Sequence, residues 1–496
     1  MKIISQGQNK RRIELNAKRL LSDIYTYPKV FMQENNEWKG DWEGRALLAM
    51  CSLYRVTEGD YREALLAQIK TYMVHLPEHI NSNGYFGPLF DKNCINEQQL
   101  SGNSWYIRGL CEYFSVFSDQ YVFDLIKTIS DNFLCEIGQY ILDYPIVKRE
   151  VGGVGGHLGK DNYRNWMLSS DVGCAFILLD GITAAYKVYP NEKLRVSIEN
   201  MIHQYSQLDF EGLSVQTHAT LSGARGIMRY FTITKDVKYL EIVKKIFKLY
   251  LDKGMTVNYA NYNWFGKPYW TEPCAVVDSL ILAEQLYLYT LDVEYIRLFN
   301  RIYFNALASG QRQNGGAGCE TCLTEKSGEM RMHLYEAFFC CTMRLAEGLA
   351  AVNDFLVIRE KNGLFFPLLD SLAFSDELCS GEIRVSGETD TDIDIDFDFL
   401  FEGSKTIRLY IPESAQIQCD FPYVRNGDIM SFEAVKGHWS LRYILQEKTE
   451  QRMGHAVHFL GDKLLSCKND EKKYTLIANS IELSEEEVNS LTQKFW

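Results

Sequence analysis

The sequence predicts a mainly α protein in which an (α/α)₆ barrel of residues 1–354 is followed by a C-terminal β-sandwich of residues 355–496. Helix pairs joined by short polar turns recur from about Trp42 to Leu349. After about Phe355, the periodicity of the apolar residues changes from helical to alternating. The 496 residues exceed the roughly 250 to 300 at which a single core stops growing, so two domains or a large toroid are expected.

The helix repeat is clearest in two copies, in which an aromatic helix end is followed by a polar turn and a second amphipathic helix. Ile227–Thr234 precedes Asp236 in one copy, and Glu284–Leu291 precedes Asp292 in the other. An aspartate in such a turn can cap the helix that follows. About six helix hairpins fit an open solenoid or a closed toroid. The long glycine- and aromatic-rich connections favour the toroid, because such loops would gather at one mouth.

The β region is indicated by short runs in which apolar and polar residues alternate. Asp390–Phe399 alternates carboxylates with apolar side chains, which places the carboxylates on one face of a strand. A calcium site is one interpretation of this face, but an isolated charge run usually meets water, which favours a solvated face. Further runs at Thr406–Ile411 and His438–Leu445 support a sandwich that packs against the barrel.

Composition and charge narrow the location and the partners. Met1–Asn16 lacks the apolar run of a signal peptide, and no apolar run reaches the roughly 18 residues of a membrane helix. A cytoplasmic protein is therefore expected, and its cysteines should stay mostly reduced. The formal net charge of −13 argues against nucleic acid, since phosphate binding depends on Lys and Arg. A neutral substrate fits this balance better, and a homodimer is a possible assembly.

Cysteine and glutamate concentrate in three segments, Trp270–Cys274, Gly318–Cys322 and Phe338–Cys341. Adjacent cysteines do not readily form a strain-free disulfide with each other, but both thiolates can bind one soft ion. Zinc accepts a tetrahedron of sulfur and carboxylate ligands. The first segment precedes a predicted helix over Ala275–Leu288, and the third begins another helix, where the pKa of a thiol is lowered. Spacing alone leaves a metal site and inert buried cysteines equally open.

The residues around these segments resemble the zinc-and-cysteine β-L-arabinofuranosidases of glycoside hydrolase family 127 (GH127). Order and approximate spacing agree over Trp270–Ala283, Tyr287–Tyr295, Phe304–Leu307 and Phe338–Arg344, and a fainter resemblance covers most of the chain. The resemblance implies a hydrolase of carbohydrate metabolism, an exo-acting glycosidase for oligosaccharide fragments. It also implies an (α/α)₆ barrel followed by β-sandwich structure.

In that family one glutamate and three cysteines bind zinc, and the first cysteine of the adjacent pair attacks the sugar. Carried onto this chain, the resemblance implies Glu272, Cys274, Cys340 and Cys341 as the zinc ligands, with Cys340 as the nucleophile. The implied mechanism retains the anomeric configuration: the Cys340 thiolate displaces the leaving group, and water later frees the sugar.

The chain departs from the family where a general acid is expected. Family members place a glutamate shortly before the ligand motif, whereas Lys253–Thr271 contains no carboxylate. The motif here reads Glu-Pro-Cys instead of Glu-Thr-Cys, and Thr342 and Met343 replace a proline-containing continuation. The candidate replacement acids are Glu320, on a glycine-rich loop, and Asp171, at the predicted start of a helix. Capping of that helix would explain Asp171 without a catalytic role, and it is the favoured interpretation of this residue.

Four residues are candidates for substrate contact. His218 corresponds to a histidine at a similar helix start in the family, although a structural histidine explains it nearly as well. Trp264 and Trp270 lie in loops where Asn and Gly accompany aromatic rings, a composition that favours a sugar-binding surface over a core. His157 ends a glycine-rich connection expected at the same mouth.

Several alternatives stay open at this point. Cys319 and Cys322 form a Cys-x-x-Cys pair, which could share the main metal site or form a labile disulfide. A non-catalytic carbohydrate-binding or scaffold protein is the main rival function, because four protein ligands close a structural zinc site. A polysaccharide lyase is the less favoured third function, since α/α toroids also host elimination chemistry.

Overall fold

The structure is a computed structural model that describes most of the chain. The described residues are 1–32, 37–151, 156–159, 162–267, 270–320, 332–387, 389–469, 472–475, 479–484, 486–488 and 490. The α-helices within these ranges are α1 (Gln8–Leu20), α2 (Asp41–Val56), α3 (Gly59–His75), α4 (Glu97–Phe117), α5 (Gln120–Ile129), α6 (Cys135–Tyr140), α7 (Leu178–Val188), α8 (Glu192–Tyr205), α9 (Thr217–Thr234), α10 (Val237–Lys253), α11 (Pro273–Thr290), α12 (Val293–Ile302) and α13 (Cys341–Phe355).

Six inner helices form a closed ring. Helices α2, α4, α7, α9, α11 and α13 each contact the next in that order, and α13 returns to contact α2. Each inner helix has an outer partner: α3 for α2, α5 for α4, α8 for α7, α10 for α9 and α12 for α11. The sixth outer helix is α1, from the beginning of the chain, which packs on α13. This ring confirms the (α/α)₆ barrel and excludes the open solenoid.

The turns of the repeat cap the outer helices as the sequence predicts. The Asp236 carboxylate accepts a hydrogen bond from the backbone N–H of Lys238 at the start of α10. The Asp292 carboxylate accepts one from Glu294 at the start of α12 in the same way. These bonds satisfy backbone donors that have no partner within a helix, and so they fix where each outer helix begins.

The inner helices approach closely because glycine faces backbone at two contacts. A Cβ on Gly44 of α2 would lie 2.1 Å from the backbone nitrogen of Tyr106 in α4. A Cβ on Gly226 of α9 would lie 2.3 Å from the carbonyl oxygen of Leu179 in α7. Any larger residue at either position would force neighbouring inner helices apart and widen the ring.

The strands lie mostly after the barrel. They are β1 (Lys2–Ser5), β2 (Ile95–Asn96), β3 (Trp166–Met167), β4 (Gly318–Cys319), β5 (Tyr335–Glu336), β6 (Ile358–Glu360), β7 (Gly363–Phe366), β8 (Leu372–Ser375), β9 (Ser380–Ser386), β10 (Asp392–Leu400), β11 (Lys405–Tyr410), β12 (Gln416–Gln418), β13 (Val424–Asn426), β14 (Ile429–Ala434), β15 (Gly437–Ile444), β16 (Glu447–Arg452), β17 (His455–Leu460), β18 (Lys463–Asn469) and β19 (Lys472–Thr475).

Two of the sheets form the β-sandwich. One has the strand order β1-β8-β9-β10-β15-β12 and the other β13-β14-β11-β7-β6. Phe397 of β10 packs between them, with ring centroids 6.4 Å from Phe366 of β7 and 6.1 Å from Phe432 of β14. The sandwich confirms the predicted fold class. Because β1 belongs to its first sheet, the beginning of the chain contributes to both regions, and the predicted division at residues 354/355 stays a prediction.

The alternating strand β10 has a buried apolar face and a charged outer face. Asp394 pairs with Arg442 of β15, and Asp398 pairs with Arg384 of β9. Among the described residues, no aspartate of this strand belongs to a group that could hold a metal ion. These contacts support the solvated face rather than the calcium site.

A third sheet, β16-β17-β18-β19, joins the barrel to the sandwich. Arg301 of α12 forms an ion pair with Glu450 of β16 at 2.8 Å. The Asn305 side chain donates to the Asp462 carbonyl at 2.8 Å and accepts a hydrogen bond from the Leu464 N–H at 2.7 Å.

Throughout the described part of the chain, every helix is too short or too polar to cross a membrane.

Candidate metal and active site

Three thiols meet where two inner helices begin. Glu272 is the N-cap residue of α11, and Pro273 occupies its first turn, where the missing N–H of proline costs nothing. Cys274 follows on the same turn, while Cys340 is the N-cap residue of α13 and Cys341 its first residue. We call Cys274, Cys340 and Cys341 the thiol cluster: the Sγ atom of Cys341 lies 3.8 Å from that of Cys274 and 3.4 Å from that of Cys340.

A carboxylate and an imidazole lie beside the thiol cluster. An oxygen of Glu272, a ring nitrogen of His218 and the Sγ of Cys274 all lie within 4.8 Å of one another. The three Sγ atoms of the thiol cluster meet the same criterion, so Cys274 belongs to both groups. Sulfur, nitrogen and carboxylate oxygen together suit a soft divalent cation such as zinc.

The protonation states of the cluster fit a site for a cation. Burial raises the pKa of Cys274 to about 11, and it raises the pKa values of Cys341 and Glu272 well above their usual ranges. A bound cation would offset this cost of charging buried ligands. Cys340 differs, because hydrogen bonds from Cys274 and Cys341 lower its pKa to about 6. Its side chain is also partly exposed, whereas those of the other two cysteines are buried.

One buried cation already faces the cluster, and sequence reasoning missed it. Arg45 of α2 donates from Nη1 to the Sγ of Cys274 at 3.5 Å. Its guanidinium also pairs with Asp41 and lies 4.1 Å above the ring of Trp105. A positive charge at this distance favours thiolate over thiol. In the sequence, Arg45 is visible only as a charged residue directly before the largely apolar run Ala46–Leu53. Helical periodicity alone does not mark such a residue as functional.

The two candidate acids have different surroundings, and Asp171 lies beside Glu272. The Gln216 side chain hydrogen-bonds to Asp171 and also donates from Nε2 to a Glu272 oxygen at 3.3 Å. Burial, together with the nearby charge of Glu97, raises the pKa of Asp171 to about 7. The prediction that Asp171 caps a helix is wrong: the short helix there begins at Cys174 with Gly173 as its N-cap residue. The Asp171 carboxyl is therefore not used to cap this helix, and a role in proton transfer stays open.

The carboxyl of Glu320 has other neighbours than that of Asp171, namely Arg312 and the backbone of His333. Burial raises its pKa to about 7, while the charge of Arg312 and the backbone N–H of His333 act in the opposite direction. The preceding residue, Cys319, faces the cluster instead: it acts electrostatically on Glu272 and donates to the hydroxyl of Tyr335 at 3.2 Å. Successive side chains of an extended segment point to opposite sides, which explains the contrast. Cys322 lies outside the described residues.

The candidate substrate contacts divide by exposure. Trp264 has no exposed surface, and its ring packs edge-on against Trp270 at 5.1 Å. Trp270 is partly exposed, so it is the ring of the two that a sugar could reach. His157 is exposed, and its backbone exchanges hydrogen bonds with Ser170, the neighbour of Asp171. His218 is only 2% exposed.

Beneath the cluster, a set of ion pairs runs along the barrel axis. Asp278 accepts hydrogen bonds from His218 at 2.8 Å, from Arg225 at 2.7 Å and from Arg344. Further pairs along the axis join Arg108 to Asp180, Arg108 to Glu347, Arg225 to Glu347 and Arg229 to Asp180. We call these residues the axial network. Its charged members were missed, unlike His218, because single charges in apolar helices look like interruptions until the helices are arranged in a ring.

The closed (α/α)₆ barrel, its accompanying β-sandwich and the carboxylate and thiols at its mouth agree with a barrel-type glycoside hydrolase, the class that the family comparison supports. Residues 204–354 match the model of the β-L-arabinofuranosidase GH127 catalytic domain. This range contains α9, α11, the thiol cluster and all but the last residue of α13, so the part of the chain that carries the candidate site is similar to the catalytic domain of glycoside hydrolase family 127. No curated protein sequence matches the chain.

Solved structures with the same fold include GH127 enzymes. A GH127 β-L-arabinofuranosidase from Geobacillus stearothermophilus T6 is 13% identical, with a TM-score of 0.65 over 94% of this chain and 86% of the other. Another GH127 β-arabinofuranosidase is 12% identical, with a TM-score of 0.60 over 93% of this chain and 83% of the other. At such low identity these structures show the shared fold alone.

Proposed function

We propose that this protein is a zinc-dependent retaining glycoside hydrolase of the β-L-arabinofuranosidase type. Glu272, Cys274, Cys340 and Cys341 would hold the metal, and Cys340 would be the nucleophile. The observation that carries the proposal is the convergence of three thiols beside one carboxylate, from two separate helix starts, inside the region that matches GH127. Bound zinc would keep the buried sulfurs as thiolates at neutral pH.

Cys340 is the member of the cluster suited to attack a sugar. Hydrogen bonds from Cys274 and Cys341 lower its pKa, which favours the thiolate, and its side chain is partly exposed. Its Sγ would form a bond to the anomeric carbon while the bond to the leaving oxygen breaks. Water would then displace the sulfur and release the sugar with its original configuration.

Asp171 is the better supported of the two candidate acids. Burial raises its pKa to about 7, near the pH at which a general acid works best, and Gln216 links it to Glu272 at the edge of the thiol cluster. Asp171 would protonate the leaving oxygen and later accept a proton from the attacking water. Glu320 has a similar pKa but faces Arg312 and His333. It stays a second candidate.

Two side chains at the mouth of the barrel are exposed enough to contact a sugar. Trp270 and His157 present exposed surface there, and Trp264 would act indirectly by supporting Trp270. We further propose that the enzyme acts in the cytoplasm on imported oligosaccharide fragments, because a catalytic thiol cluster requires an environment that keeps cysteines reduced.

Metal analysis combined with a substrate panel tests this function. The purified full-length protein should contain one zinc per chain and release sugar from aryl β-L-arabinofuranosides more readily than from the corresponding pyranosides. Removal of zinc by a chelator should abolish turnover, and zinc should restore it. Sugar binding without turnover, in a protein that unfolds on chelation, would instead establish the scaffold function. Products that absorb in the ultraviolet would establish the lyase.

A further inference from the structure

His218 has one committed ring nitrogen and one free one. Its Nδ1 lies 2.8 Å from an oxygen of Asp278, and its ring stacks on Trp105 with a centroid distance of 5.6 Å. The other nitrogen, Nε2, has no hydrogen-bond partner among the described residues, although the side chain is only 2% exposed. A buried polar atom without a partner costs free energy unless a ligand satisfies it.

Asp278 fixes which nitrogen is free. Arg225 and Arg344 both donate to its other oxygen, so two buried guanidinium groups pair with this carboxylate and favour its ionised form. An ionised carboxylate can only accept, so the Nδ1 of His218 carries the proton. In a neutral ring with this tautomer the lone pair lies on Nε2, and that nitrogen can then bind a metal.

The free nitrogen belongs to a group of possible metal ligands. A ring nitrogen of His218 lies within 4.8 Å of both a Glu272 oxygen and the Sγ of Cys274. Since Nδ1 is held by Asp278, Nε2 is the nitrogen that can bind. A carboxylate that accepts from one nitrogen of a metal-binding histidine is the usual support for such a ligand, because it fixes the tautomer and the ring orientation.

We propose that His218 binds the zinc through Nε2, so that the metal has imidazole, carboxylate and thiolate ligands. The inference rests on the proposed function for the presence of zinc. It adds a ligand to the set of one glutamate and three cysteines, and zinc in catalytic sites accepts four or five donors. It also gives the axial network a purpose, since Arg225 and Arg344 hold Asp278, and Asp278 holds the metal ligand.

X-ray absorption at the zinc edge of the sugar-free, zinc-loaded protein tests the inference without relying on activity. The spectrum should contain imidazole scattering together with sulfur. His218→Asn should remove the imidazole signal and weaken zinc binding about 10- to 100-fold in a competition titration with a chromophoric chelator. His157→Asn, which changes an exposed histidine of the same mouth, should leave both the spectrum and the zinc affinity unchanged.

The outcomes separate this inference from the proposed function. Zinc that is bound by sulfur and oxygen without imidazole would overturn the inference alone and return His218 to a role in substrate contact. An unchanged zinc affinity in a folded His218→Asn protein would overturn it as well. Should that variant not fold, the wild-type spectrum still decides. A wild-type protein that binds no zinc would overturn the proposed function together with the inference.

Discussion

Two groups of buried acids in the same barrel have opposite protonation behaviour. At the mouth, Asp171 and Glu272 share Gln216, and burial raises both of their pKa values. Along the axis, Asp278 and Asp180 are equally buried, but their pKa values are lowered, because arginines outweigh the burial. The charge of a buried carboxyl is therefore decided by its partner and not by its depth.

This difference in pKa separates the acids at the mouth, which can take part in chemistry, from the axial acids, which stabilise the barrel. An axial carboxylate that is held by two arginines cannot give up or take a proton near neutral pH, so it fixes helices and side chains in place. A mouth carboxyl without such a partner can exchange a proton or bind a cation. Removing groups from the two regions should accordingly produce opposite combinations of lost activity and lost stability.

The largest expected effect is on activity, from the thiol cluster. Cys340→Ala should lower kcat on the order of 10⁴- to 10⁶-fold, because it removes the nucleophile. Turnover of an aryl β-L-arabinofuranoside would measure the loss. Cys111→Ala, which removes another partly exposed cysteine outside the cluster, should keep nearly full activity. Comparable turnover in the Cys340→Ala protein would show that the chemistry does not use this sulfur.

A smaller loss of activity is expected from the mouth acid. Asp171→Asn should lower kcat about 10²- to 10⁴-fold, since it removes a general acid without changing the volume of the side chain. Glu320→Gln is the matched control, because Glu320 is similarly buried but faces Arg312 and His333. If Glu320→Gln caused the greater loss on a substrate with a poor leaving group, which needs protonation to depart, the two acids would exchange roles.

The axial network should respond through stability. Asp278→Asn leaves Arg225 and Arg344 without their shared carboxylate, and it should lower the free energy of unfolding by about 3 to 5 kcal/mol. Asp394→Asn breaks the ion pair with Arg442 on the surface of the sandwich and should change the free energy of unfolding little. Urea unfolding followed by fluorescence measures both. An Asp278→Asn protein as stable as the wild type would remove the contrast between axis and mouth.

The smallest expected effect is a difference in the pH dependence of stability. The folded-state pKa of Asp171 is raised from 3.8 to about 7, so its contribution is fully present below 3.8 and is lost as the pH rises through 7. In metal-free protein, Asp171→Asn should therefore gain stability relative to the wild type as the pH rises from about 4 to about 7. Thermal unfolding across this range measures the trend. The reverse trend would mean that Asp171 is ionised in the folded state.

The repeat of helix pairs could be predicted because each pair is local in sequence. The closed toroid was also predicted, from the glycine- and aromatic-rich loops, but the packing of α1 on α13 as the sixth outer helix was not, because periodicity contains no information on distant partners. The helix predicted over Ala275–Leu288 extends two residues further at each end, since Pro273 is well suited to a first turn. Boundaries of this kind depend on capping geometry, which a hydrophobic pattern does not contain.

The candidate site divides in the same way. Adjacent cysteines and a Glu-x-Cys segment are visible in the sequence, and the structure places them at two helix starts that meet. Gln216, which precedes α9, and Arg45, within α2, show no distinguishing pattern in the sequence until the fold places them beside Asp171 and Cys274. Their contribution follows from three-dimensional position alone, so it could not be read from the sequence.

The central claim is that the sulfur of Cys340 forms a covalent bond with the sugar. Mass spectrometry of the zinc-loaded protein after incubation with an activated β-L-arabinofuranoside fluorinated beside the anomeric carbon, which slows release, tests it most directly. We expect the protein mass to increase by one pentosyl group per chain. This group should be located on the peptide that contains Cys340 and should be absent from the Cys340→Ala protein. An adduct on a different residue, or rapid turnover with no adduct at any time, would contradict it.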